Sequence, residues 1–216
     1  MVLSIPELVQ LLEQEYGDPD WWPAKSPFEV AVGAILTQRT SWSNVEKSIE
    51  AMRKEGILAP AAILSVGRKR IEQLIRPSGF YRQKTDYLVE FASYVEREYG
   101  GEILAMLSKP PDKLRTELLK VRGIGPETAD SILLYALAIP SFVVDAYAMR
   151  VLTRLGIDAG DGYNSIKKSF EDALDNEVDG LAKAHALLVI HCKSRCKRSP
   201  VCDGCPFHAS CLLESK

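Results

Sequence analysis

Five cysteines, Cys192, Cys196, Cys202, Cys205 and Cys211, fall within the last 25 of 216 residues, and none comes before them. From Cys196 they read C-x5-C-x2-C-x5-C. In a chain that works in a reducing compartment, thiols so spaced are metal ligands rather than disulfide halves. Four thiolates could hold zinc or an iron-sulfur cluster, and spacing alone does not choose. The stretch "KRSPV" between the first two places Lys197 and Arg198 on a short tethered loop. That loop is basic and tightly held between two thiols, although a solvated charge run has the same composition. A second chemical feature is "FVVDAYAMRVLTRLGI", in which Asp145 follows an apolar pair and opens a helix. Asp is a frequent N-cap. In that position it is also ionised and fixed in direction, as needed to stabilise a developing sugar cation or orient a water.

Twenty residues earlier stands "VRGIGPETAD". Gly123 and Gly125 allow a turn with positive φ, and Pro126 takes the first position of the next helix. The pattern predicts helix, hairpin, helix. Amides exposed at that second helix start, together with its dipole, would receive one phosphate, a contact that positions without reading sequence. A plain link between two packed helices would use the same residues.

These groups must be positioned by helices. Ser4-Ile-Pro-Glu7, Ser26-Pro-Phe-Glu29 and Ser43-Asn-Val-Glu46 each place Ser at an N-cap with Glu three residues on, and predict three helix starts. Behind the second, Phe28, Val30, Val32, Ile35 and Leu36 mix spacings of two, three and four, the pattern of a helix buried on all sides. Further helices are predicted near 60–75, 81–99, 112–120, 127–138, 146–155, 165–175 and 180–192. No alternating strand pattern bounded by hairpin turns occurs, so the expected class is all-α. A hydrophobic content of 46% supports a real core. No apolar run approaches the ~20 residues needed to cross a bilayer, and no signal-peptide pattern opens the chain, so a cytoplasmic location and no membrane partner are expected. The net charge of -2 is unevenly spread. Glu7, Glu13, Glu15, Asp18 and Asp20 crowd the first 20 residues without a Lys or Arg, whereas Gly180 to Cys202 holds no acid but carries Lys183, Lys193, Arg195, Lys197 and Arg198. A local basic face is therefore possible despite the acidic total.

The order L-x-x-V-x-G-I-G-x-x-T-A, then V-V-D-x-Y, with "GAILTQRT" upstream and the cysteines at the end, resembles the endonuclease III superfamily of DNA glycosylases over about residues 26 to 211. "GIGPETAD", "RPSGFYRQK" and "LTQRTSW" look closest to its 3-methyladenine DNA glycosylase III branch. The resemblance implies two helical lobes around a DNA cleft, one a six-helix barrel at 26–138 ending in the hairpin at about 113–138. The other would join 1–25 to 139–216. It also implies a 4Fe-4S cluster on Cys196, Cys202, Cys205 and Cys211, although the family's first gap is six residues and here it is five. Cys192 would be a spare, and His191 keeps the family's distance to the first ligand.

The partner implied is double-stranded DNA with a damaged base, met by a monomer. A glycosylase must rotate its target out of the stack and fill the gap. By resemblance, Gln38 fills that gap, and the turn with Ser78, Gly79 and Phe80 wedges into the opposite groove. Gly123, Ile124, Gly125 and Thr128 contribute the hairpin contact, with Lys197 and Arg198 as a second. Trp22 and Trp42 would face a base that carries delocalised positive charge, through stacking and cation–π attraction. Tyr147 and Lys193 would line the same pocket. Glu127 stands where bifunctional relatives carry the lysine that forms an imine with the sugar. A carboxylate cannot do so, which implies hydrolysis assisted by Asp145, leaving an abasic site and an intact strand. Two alternatives remain: the same chemistry on mismatched uracil or thymine or on an oxidised base, and a noncatalytic iron-sulfur DNA-binding module.

Overall fold

The computed structural model describes residues 3–19, 21 and 24–215. Among them every regular element is helical. The chain divides into two units, Trp22–Ile139 and Met1–Trp21 with Pro140–Lys216.

In the first unit the helices are α2 (Pro27–Leu36) and α3 (Trp42–Lys54), numbered after α1 below, then α4 (Pro60–Ser65), α5 (Arg68–Leu74), α6 (Tyr81–Tyr99), α7 (Pro111–Leu118) and α8 (Pro126–Ser131). Helix α2 is the axis of its core. Every residue from Phe28 to Leu36 is buried, as the mixed apolar spacing predicts. Phe28 stacks on Phe91 of α6 with ring centroids 5.8 Å apart. The single acid in this run, Glu29, is matched by Arg53 of α3 at 2.7 Å, which offsets the cost of burying a carboxylate. Ser26 caps α2, accepting from the Glu29 amide.

Three sequence expectations fail here. The helix expected over 60–75 is two helices, because Val66 is extended at ψ 133° and Gly67 restarts the chain. Helix α3 begins at Trp42 with Ser41 before it, not at a Ser43 cap, and Ser41 makes no side-chain cap bond. The carboxylate of Glu46, which a cap at Ser43 would have used, accepts instead from the Trp42 indole N–H at 2.9 Å. The segment expected as one helix over 127–138 is α8 followed by a wider π turn, Ile132–Ala136.

The second unit holds α1 (Ile5–Tyr16), α9 (Ala146–Leu155), α10 (Gly162–Ala173) and α11 (Val178–Ser194). Its core is Leu8 and Leu12 of α1, Phe170 of α10 and Leu181, Leu187 and Leu188 of α11, all fully buried. Phe142 and Phe170 stack nearly parallel at 3.8 Å. The uneven charge of the sequence is partly resolved inside this unit. Lys183 pairs with Glu13 at 2.7 Å and Arg195 with Glu15 at 3.2 Å, so two of the five cations in the acid-free window hold α1 to the C-terminal region. The Tyr16 hydroxyl meets His191 Nδ1 at 2.9 Å in the same seam.

Candidate functional site

Asp145 is the N-cap of α9, as the sequence predicts, and its Oδ1 accepts from the Tyr147 and Ala148 amides at 2.9 and 2.8 Å. The other oxygen faces Nε2 of His185 on α11 at 3.5 Å. Burial pushes the Asp145 carboxyl up, but the imidazole and the two amides outweigh it and hold the group below the usual carboxylate range. The result is a fixed, ionised carboxylate with 17% of its side chain exposed. No sequence signal marks His185, because a histidine in "AKAHALLVIH" has the pattern of a core residue on a buried helix face. It is indeed buried, at 5% exposure.

Around this pair the unit gathers further polar and aromatic groups. Trp21 lies edge-on to His185 with centroids 6.3 Å apart, and the Lys193 ammonium stands 5.7 Å from the Trp21 ring centroid. The Trp21 indole N–H is buried without a hydrogen-bond partner among the described residues. Trp22, the expected aromatic face, lies outside the described residues; its neighbour Trp21 stands beside Lys193 and His185. Tyr147 is half-buried, with the Arg150 guanidinium 5.7 Å from its ring.

The hairpin belongs to the other unit. Gly123 has φ 89°, and a Cβ there would lie 2.1 Å from the ring of Tyr87, so only glycine fits. The flanking helices are locked by Arg115 of α7, which grips the fully buried Asp130 of α8 through two bonds of 2.7 and 2.9 Å. The amides of Gly123 and Gly125 carry no hydrogen bond among the described residues, whereas the Ile124 amide closes the turn on the Val121 carbonyl at 3.0 Å. The hairpin residues thus divide. Gly123 and Gly125 present backbone; Ile124 and Thr128 are buried at 5% and 6% exposure and build the turn rather than its surface. Glu127 is exposed in the first turn of α8.

Gln38 is joined to this hairpin. Its amide donates to the Gly123 carbonyl at 2.9 Å and to the Thr128 hydroxyl at 3.1 Å. In the "PSGF" turn the expected DNA contacts separate. Phe80 is 58% exposed with a left-handed backbone, φ 45°. Gly79 precedes it at φ 68°. Ser78, unlike its two neighbours, is fully buried, and its hydroxyl donates to the Ile75 carbonyl, so its side chain faces inward. Trp42 is partly buried and borders a cavity of about 240 Å³ with Ala24, Glu29, Glu46, Glu50 and Arg53. That lining is net acidic beside an aromatic ring.

Cys196, Cys202, Cys205 and Cys211 line one cavity together with His191 and Phe207. Cys192 is not part of that lining but touches it: it is buried, with its thiol against Cys196 and 3.6 Å from the Tyr147 carbonyl. Among the described residues no group of three or more His, Cys, Asp or Glu side chains has the spacing to hold a single metal ion. Cys192, His191 and the Arg154 guanidinium, 3.1 Å from Cys196 Sγ, outweigh burial and hold the Cys196 thiol far below its usual range. Arg154 also donates to the Lys197 carbonyl at 2.8 Å, which ties "KRSPV" to α9 and leaves the Lys197 and Arg198 side chains exposed.

Comparison with known proteins adds the family. A model described as HhH-GPD superfamily base excision DNA repair protein matches residues 32–176. A protein of Methanocaldococcus jannaschii that bears the name of a DNA repair glycosylase is 44% identical over 210 residues, 96% of each chain. The fold is similar to the H. pylori 3-methyladenine DNA glycosylase MagIII bound to 1,N6-ethenoadenine, at TM-score 0.79 and 27% identity, covering 88% of this chain and 98% of that one. It is also similar to endonuclease III in a non-covalent DNA complex, at TM-score 0.82 and 23% identity, covering 99% and 97%.

Proposed function

The chain belongs to the HhH-GPD superfamily of base excision DNA repair proteins, and from that premise we propose that it is a monofunctional DNA glycosylase that removes an alkylated purine. The observation that carries this is Asp145. A carboxylate ionised at neutral pH, aimed by two amides and His185, suits a glycosidic bond that breaks with positive charge developing on the sugar. Hydrolysis then needs only a water at the carbon the base has left.

No amine stands at the position of the imine-forming lysine. Glu127 occupies it, which supports release of the base without strand cleavage. An alkylated purine that carries positive charge is favoured by aromatic faces and nearby carboxylates. Trp42, with the Glu46 carboxylate on its indole N–H, supplies that chemistry in the unit that holds the hairpin. The similarity to MagIII, which binds 1,N6-ethenoadenine, supports the same substrate class. Gln38, Gly79 and Phe80 would fill and wedge the duplex, with the hairpin glycines, Lys197 and Arg198 holding phosphates.

The cysteine set fits a 4Fe-4S cluster: four soft donors border one cavity, and the environment of Cys196 favours its thiolate. Such a group would supply a rigid anchor for the loop that carries Lys197 and Arg198. Iron and sulfide in anaerobically purified protein support this; stoichiometric zinc without iron contradicts it.

The substrate is tested by base release from duplexes containing 3-methyladenine, hypoxanthine, uracil, thymine opposite guanine, or thymine glycol. The expected result is release of the alkylated purine well ahead of the rest. Preference for thymine or an oxidised base would reassign the substrate and leave the chemistry standing.

A further inference from the structure

Lys84 of α6 is 1% exposed and has no carboxylate partner among the described residues. Its ammonium donates to the Leu36 carbonyl at 2.7 Å and to the Ser78 carbonyl at 2.6 Å. Those carbonyls end two helical pieces, α2 and the 3-10 turn Arg76–Ser78, where backbone oxygens lack partners within their own helix. Directly after each comes a segment with a residue held at positive φ, Arg39 at 53° and Phe80 at 45°. These are costly conformations for side-chain-bearing residues, kept only where the surroundings fix them.

We infer that Lys84 is a positioning residue that sets the Gln38 loop and the Phe80 turn at a fixed separation, so that the two enter a duplex as one unit. The inference rests on the reading that Gln38 and Phe80 go into the DNA. The linkage is continuous: the Gly123 carbonyl to Gln38, two residues of chain to the Leu36 carbonyl, Lys84, the Ser78 carbonyl, and two residues to Phe80. The hairpin, the Gln38 loop and the Phe80 turn of one unit are thereby tied through a single buried cation.

Packing alone does not explain a lysine at this place. A methionine would fill similar space without the desolvation cost, which is felt as an amine pushed down to about 8. What the ammonium adds is charge-assisted bonds to two carbonyls on different elements.

The test is a double-mutant cycle on preference for a duplex carrying a tetrahydrofuran abasic analogue over an intact duplex. Gln38→Ala, Phe80→Ala and the pair are measured in the parent and in Lys84→Met, with circular dichroism as the check on folding. If Lys84 couples the loops, the two losses in the parent depart from multiplicative behaviour by about threefold or more, and in Lys84→Met they become multiplicative. Multiplicative losses in the parent overturn the inference whether or not Lys84→Met folds. So does an unchanged departure in a folded Lys84→Met. Loss of preference in neither single variant overturns it differently, by removing the DNA role of both loops.

Discussion

At the scale of single residues, the sequence exposed chemistry better than support. Asp145 could be read as both cap and catalytic carboxylate because the apolar pair before it and the helix after it fix its position. His185 could not, because its value lies in a contact across 40 residues of sequence that no periodicity encodes. Ser78 and Thr128 fit a surface motif by type yet are buried: the Ser78 hydroxyl donates to the Ile75 carbonyl of its own turn, and the Thr128 hydroxyl accepts from the Gln38 amide. The His185 contact has a pH consequence. Asp145 is depressed in the folded protein, so its ionised form persists as pH falls past the ordinary value of 3.8, and activity that depends on it is lost only below that. Replacing His185 with Asn removes a lowering influence and leaves burial, which raises. The acid limb of base release should move to higher pH, with kcat reduced by roughly tenfold and DNA affinity little changed. A profile identical to the parent would deny His185 its role.

At the scale of elements, the starts of α1 and α2 and the hairpin were legible because glycine, proline and capping serines act locally, whereas the start of α3 was not. The breaks at Val66 and in the π turn at Ile132–Ala136 were not: α4 packs on α6 and the π turn on α2, contacts that local sequence does not encode. The hairpin also depends on a bond the motif does not contain. Arg115 grips a fully buried Asp130, and removing one partner of such a pair strands the other charge. Arg115→Ala is expected to cost about 3 kcal/mol in denaturant unfolding and to weaken DNA binding more than surface substitutions do. A loss under about 0.5 kcal/mol would mean that the hairpin is held by apolar contacts alone.

For the whole molecule, the acidic total is a poor guide to partners. Lys183 and Arg195 are occupied by α1 carboxylates, while Lys197 and Arg198 stay exposed on a loop tied by Arg154. If those two side chains neutralise phosphates, Lys197→Ala with Arg198→Ala should flatten the slope of log affinity against log salt by about 2 and weaken binding alike for damaged and intact duplex. An unchanged slope would make the loop a solvated run. The all-α class and the glycosylase family were both readable from motif order, whereas the substrate depends on a pocket built by side chains from several elements. The most direct measurement is a single-turnover time course on an alkylated duplex, following free base and strand breaks together, for the parent and Asp145→Asn. The parent should release the alkylated purine while the strand stays intact until alkali is added, and Asp145→Asn should bind the duplex but release base at least about a hundredfold more slowly. Strand breaks keeping pace with base release, or an Asp145→Asn variant as fast as the parent, would contradict the account.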